Sequence, residues 1–391
     1  MTKLPYAATA VFSLMLTATL STLAAAPPPL VGYTELQTRL PGGRHANVRT
    51  ERACVVHADG TGRRQLVPQL TVEPDTWSQF AGWSPDGQIA IIGRSWQSPE
   101  NAKWEEENKN FRIVPGGWLY DSFLVEIGTG KATNVTSVDR ISHYNASVFF
   151  WPKDPQKLGF TALINGNAHP FSMDRDGRNK TDLTKQSNEF TYGFSTSRDG
   201  KRIAYHKSYQ VYLADADGSN AVKIETGQPF GFSPTWSPDG AWVLFLCGEH
   251  GNSHPYAVKA DGSGLKKLAD RAGYNGAVEF LDVADFHGGS SDVPIWSADG
   301  KSVFYTAKVD QNVELFRVTV DGKTEQLTKT PSGTLHYHPQ PSPDGQWLVY
   351  GSKREGIRQI YVRNLLDGTE NRITNMPAGQ GAMWPHWQPQ P

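Results

Sequence analysis

The chain has 391 residues and carries 38 Lys+Arg against 39 Asp+Glu, a formal net charge of -1. That balance provides neither a basic stripe nor a polyacidic tail, which argues against nucleic acid as a partner. The length is ample for a large buried core.

The first residues, MTKLPYAATAVFSLMLTATLSTLAAAPPP, place Lys3 before an apolar run from Ala7 to Leu23 and the small residues Ala24, Ala25 and Ala26. This is the pattern of a secretory signal peptide over residues 1–26. As an uncleaved anchor the run is short for a bilayer and rich in Ala and Thr. No cysteine follows it, which closes the lipoprotein route, and no later stretch is apolar enough to span a membrane. The expectation is a periplasmic or secreted protein whose mature part, residues 27–391, is one domain and a monomer.

One short motif then recurs. WSPDG at Trp83 to Gly87 returns as WSPDG at Trp236 to Gly240, WSADG at Trp296 to Gly300 and PSPDG at Pro341 to Gly345. TSRDG at Thr196 to Gly200 and WPKDP at Trp151 to Pro155 are worn copies. Between copies run two apolar or aromatic stretches, such as WVLFLC and PYAVKADG, and then a short stretch such as LKKLA. Alternating runs rich in Val, Tyr and Phe, punctuated by Asp-Gly, are antiparallel strands joined by tight turns. Steps of roughly 40 to 50 residues per four-stranded unit are those of a β-propeller. Two longer steps place insertions near residues 98–112, which have helical composition, and near residues 275–289.

The last copy, Trp384 to Pro389, has no room for a blade after it, while His45 to Leu66 resembles the later strands of a blade with no start. The C-terminal strand is therefore expected to complete the N-terminal blade, closing an all-β ring of seven four-stranded antiparallel blades with no exposed sheet edge. Export permits disulfides. Cys54 and Cys247, however, belong to repeats about half a ring apart, and bridging needs Cα atoms within about 7 Å. Two free, buried thiols are predicted.

The WSPDG…ADG…LT repeat resembles that of the TolB-type Asp-Gly-turn propellers over almost all of the mature chain. The resemblance implies the fold and a binding role at one face. It says little of activity, because Asp and Gly make the turn and Trp fills the wedge between blades.

Function is to be sought where the copies differ. In a propeller the innermost strand lines the channel, so the residues before each turn motif converge on the axis. They are Gln79 and Phe80; His143, Tyr144 and Asn145; Tyr192; Phe232; Asp285, His287 and Asp292; His336, Tyr337 and His338; Trp384 and His386. Five of the 11 histidines fall in these sets. His143, Tyr144, Asn145, Tyr337 and Trp384 are candidate ligand-binding residues. Two apart on one strand, His336 and His338 would project to the same side. Two imidazoles on one face begin a divalent metal site, with Asp292, His287 or His386 from the adjoining blades to complete it. A pair that only hydrogen-bonds around the channel is the structural alternative.

HxHP before a turn motif also resembles the metal-binding strand of the oligogalacturonate lyases, seven-bladed propellers that cleave pectin fragments by β-elimination with a manganese-type ion. That resemblance implies His336 and His338 as two of the ligands of one such ion. Gly333 and Val293 stand where the family has its other two, a glutamine and a histidine. Elimination across a uronate also needs a base. His250 and His254, in CGEHGNSHPY, are the candidates, with a polar hairpin tip as the alternative for both. No GxSxG, phosphate loop or HExxH occurs.

Two functions from different classes fit these residues. One is an exported, non-catalytic propeller that binds a protein or an oligosaccharide at the channel face. The other is a metal-dependent carbohydrate lyase.

Overall fold

In a computed structural model of the protein the described residues are 28–37, 51–73, 76–108, 114, 116–137, 148–164, 167–184, 189, 191–276 and 292–390. The signal peptide, His45, His143 to Asn145, His287 and most of the second insertion lie outside them.

The strands form seven four-stranded antiparallel sheets. In blade 1, Gln380–Trp387 from the C-terminus pairs with Leu30–Gln37, which pairs with Arg52–His57 and then Arg64–Gln65. The ring is thus closed by the C-terminal strand, as the repeat requires. Blades 2 to 7 follow in chain order, and their first strands are Thr76–Trp83, Phe149–Trp151, Thr191–Thr196, Phe230–Trp236, Ile295–Trp296 and His336–Pro341. First strands of neighbouring blades touch one another across several seams, which identifies them as the inner ring.

The turn chemistry repeats with the sequence. In blade 2 the Ser84 hydroxyl donates to Asp86 Oδ1 at 2.5 Å and accepts Ile89 N–H at 2.9 Å, while Gly87 takes φ 68°. The same serine–aspartate–glycine arrangement recurs at Ser197, Ser237, Ser297 and Ser342. These turns and the Asp-Gly turns between the third and fourth strands lie on one face of the ring. The opposite face carries the middle hairpins and the links between blades. The polar insert forms an α-helix, Pro99–Asn108, within the middle hairpin of blade 2. Its first turn is capped by the Ser98 hydroxyl, which accepts Asn101 N–H at 3.1 Å.

Apolar clusters fill the seams, and where a tryptophan precedes the turn it packs into one of them. Trp83, Trp296 and Trp387 each donate Nε1–H to a carbonyl on the inner strand of the preceding blade, at His386, Thr235 and Gln340 (3.1, 3.1 and 3.0 Å). Cys54 and Cys247 form no disulfide and are buried. Burial pushes both thiols above their ordinary value. Among the described residues no helix is long and apolar enough to cross a membrane.

Candidate functional site

The inner strands are not regular. Three residues before the tryptophan position, the backbone turns left-handed at Ser233, His338 and Trp384 (φ 51°, 50° and 50°), and at Gly193 in blade 4 (φ 59°). Sheet pairing slips at each of these places. Pro234, Pro339 and Pro385 follow the three side-chain-bearing residues, and a following proline disfavours right-handed helical backbone. Left-handed backbone in a bulky residue costs about 1–3 kcal/mol and persists only where the surroundings enforce it.

At His338 the enforcing group is Asp292. Its Oδ1 accepts the His338 backbone N–H at 3.0 Å, and its Oδ2 accepts Thr306 Oγ1–H at 2.6 Å and Tyr274 O–H at 3.1 Å. Arg271 stands behind it, with Nη2 3.8 Å from Oδ2 and donating to the Asp292 carbonyl at 3.1 Å. Arg271 and Asp292 are each 1 % exposed. Burial presses the Arg271 guanidinium down from its ordinary value, and Asp292 opposes that shift.

The bulge sends the two histidines to different neighbours. His336 faces blade 6, where Nε2 lies 3.4 Å from Glu314 Oε2, and its ring stands edge-on to Tyr350. Burial lowers the His336 pKa and the Glu314 carboxylate raises it, with a net fall. Burial would raise the Glu314 carboxyl, but His336, Thr328 and Thr330 outweigh it and hold it below its ordinary range. His338 instead meets blade 1, stacking on Trp384 with centroids 5.7 Å apart and planes 28° apart. The shared side expected of an HxH strand is therefore not formed, because left-handed backbone at the second histidine breaks the alternation.

His386 completes the patch, its ring 5.7 Å from that of Phe80 in blade 2. Burial, helped by the charge of His338, pushes the His386 imidazole down to about 4. Two ring pairs, His338–Trp384 between blades 7 and 1 and His386–Phe80 between blades 1 and 2, thus lie on the inner strands. Trp384 and His386 remain partly exposed.

The other candidates are placed differently. Tyr337 is fully buried, donates its hydroxyl to the Ala382 carbonyl at 2.9 Å and packs with Leu36 and Met383, so it is a wedge between blades 7 and 1 rather than a ligand contact. His254 is mostly buried, its Nδ1 accepting Arg271 N–H at 3.2 Å. Exposed His250 sits at the tip of the middle hairpin of blade 5, edge-on to Tyr209 and Phe230.

The fit to a metal ion rests on the donors. Asp292 already accepts three hydrogen bonds, and His336 is enclosed against Glu314. Among the described residues no three His, Cys, Asp or Glu side chains are grouped to hold an ion. The described residues do not fit a metal centre. Glu314, Arg271, Tyr274 and Thr306 were not anticipated. Glu314 had a signal, a carboxylate at an inward position of the alternating run NVELFRVT, whereas Arg271 lies in a link with no pattern.

The family model for the TolB β-propeller domain matches residues 206–390. An uncharacterised protein of Agrobacterium fabrum is 24% identical over 271 residues, 65% of this chain and 86% of that protein. The Tol-Pal system protein TolB of Bordetella pertussis is 31% identical over 172 residues, 43% of this chain, and the matched stretch spans 35% of that TolB. Among solved structures, TolB from Acinetobacter baumannii superposes with TM-score 0.52 at 16% identity, covering 93% of this chain and 67% of that one. An oligogalacturonate lyase in complex with manganese gives TM-score 0.55 at 14% identity, covering 90% and 88%. Likeness at such identities concerns the fold. The turn repeat and the seven closed sheets make the chain a seven-bladed β-propeller, and its residues 206–390 match the TolB β-propeller domain.

Proposed function

We propose that the protein is an exported binding propeller that takes a protein or glycan ligand on the face carrying the middle hairpins, over the inner strands of blades 7, 1 and 2. The observation that carries this reading is the His338–Trp384 stack, two bulky residues side by side in left-handed backbone that a buried carboxylate helps to hold. Strain kept at adjacent positions is a sign of function. Rings ordered before binding lose little entropy on contact, and stacked aromatic contacts are worth about 0.5–1.5 kcal/mol beyond area burial. The Bordetella relative is named as a Tol-Pal system protein, which favours a protein ligand.

The test is surface plasmon resonance of residues 27–391 against the host's Tol-Pal system proteins and against immobilised oligosaccharides. Binding that falls at least tenfold in Trp384→Ala, in a variant that still folds, supports the site. Binding indifferent to Trp384→Ala and His338→Ala refutes it. Elemental analysis of the same preparation separates the lyase alternative. One divalent ion per chain, lost in His336→Ala, with an unsaturated product from oligogalacturonate, would replace binding with catalysis.

A further inference from the structure

Five blades carry tryptophan at the wedge position, and four of them turn it to the preceding blade. Trp83, Trp236, Trp296 and Trp387 pack in the seams 1/2, 4/5, 5/6 and 7/1. Trp151 alone among the five turns to the following blade, donating Nε1–H to the Gly200 carbonyl at 2.9 Å and packing with Ile203 and Tyr205 of blade 4.

The cause is local. In WPKDP the serine and glycine of the usual turn are replaced, and Trp151 pairs directly with Asp154 across a tight turn with Lys153 at φ 61°. The pairing slips between Phe150 and Trp151. The partner of Trp151 lies three residues beyond the regular step, and an odd slip sends a strand side chain to the opposite face. The smaller Phe150 is left in the 2/3 seam, with Ile89, Leu124 and Phe160.

At that seam, on the face of the Asp-Gly turns, lies an open cleft of about 540 Å³. Its walls include Ile89, Leu124 and Thr133 from blade 2, and Gln156 and Arg175 from blade 3. Its volume falls within the roughly 300–1,000 Å³ of ligand clefts. Glu126, Asp174, Asp176 and Arg178 also line it, and the acids have partners of their own. Asp176 pairs with Arg178, Asp174 accepts from Asn179, and Glu126 accepts from Thr129 with Lys131 nearby. Arg175 differs, its guanidinium lying over the Phe150 ring at 5.5 Å with Asp86 as a more distant counter-charge. The cleft therefore sets an arginine beside an apolar floor.

We propose that this cleft binds the C-terminus of a partner polypeptide, the terminal carboxylate on Arg175 and an apolar last side chain over Ile89 and Leu124. Arginine suits a carboxylate because its planar fork meets both oxygens. The site is separate from the ring patch, being on the opposite face and at the seam of blades 2 and 3.

The test is isothermal titration of the mature chain with N-acetylated tripeptides ending in leucine, as the free acid and as the C-terminal amide. The free acid is expected to bind saturably, at least tenfold more tightly than the amide. Arg175→Gln should remove that preference. Thr133→Trp, which fills the cleft from an exposed position, should abolish binding while thermal unfolding stays unchanged. Trp384→Ala should leave peptide binding intact, so failure of the ring patch and failure of the cleft are read separately. No saturable binding, an amide as good as the acid, or binding that survives both cleft variants would overturn the assignment.

Discussion

Asp292→Asn tests whether the buried carboxylate holds the bulge. In the native chain this group accepts N–H and O–H donors from His338, Tyr274 and Thr306 and balances Arg271, with both members of the pair 1 % exposed. The amide is nearly isosteric but neutral, and it turns an NH₂ toward at least one of those donors. Removing one partner of a buried ion pair costs about 3–5 kcal/mol, because the remaining charge is left uncompensated. That is a large part of the roughly 5–15 kcal/mol by which domains are stable. The assay is urea unfolding followed by tryptophan fluorescence, where the midpoint should fall at unchanged slope. The double variant Arg271→Met/Asp292→Asn should recover part of the loss, since the stranded cation is gone. A loss below about 1 kcal/mol for Asp292→Asn, or a double variant no better than the single one, would refute the view that charge compensation holds this link.

Three further outcomes follow from named contacts. Gln388 ties the closing strand to its neighbours, its Oε1 accepting Leu30 N–H at 3.1 Å and its Nε2–H donating to the Gly87 carbonyl at 2.8 Å. Gln388→Ala should cost about 1–3 kcal/mol in chemical denaturation, at about 0.5–1.5 kcal/mol per hydrogen bond. Trp387→Phe removes a hydrogen bond to Gln340, whereas the Nε1–H of buried Trp236 has no acceptor among the described residues. Trp387→Phe should therefore lower the unfolding midpoint more than Trp236→Phe, by about 1 kcal/mol. Burial holds the His206 imidazole down to about 3. The unfolded chain, with an imidazole near 6.5, then binds the extra proton between those values. Stability should be full above about pH 6.5 and decline as pH falls toward about 3, and His206→Phe should flatten that slope in pH-dependent denaturation. Below about pH 4 the turn aspartates add to the decline, since hydrogen bonds hold Asp86, Asp199 and Asp299 below their ordinary range.

Much of the protein could be read from its residues, because the features concerned are local. A Ser-Pro-Asp-Gly turn needs only its own hydroxyl, carboxylate and glycine, so each copy announces itself, and counting copies yields seven blades and a closing strand. The separation of Cys54 from Cys247 follows from the same count. What depends on contacts between blades was not legible. The left-handed backbone at His338 is enforced by Asp292, 46 residues earlier in the chain, and it sends His336 and His338 to opposite neighbours where strand alternation alone would unite them. Tyr337, read as a ligand contact, is a buried wedge because Ala382, 45 residues later, offers its hydroxyl an acceptor. Trp151 faces away from its seam because of one slip in pairing. The repeat in the sequence therefore determined the ring, while the ring's closure decided which histidines meet: periodic turns are set by near neighbours, and side-chain direction at a bulge is set by whatever the fold brings across the seam.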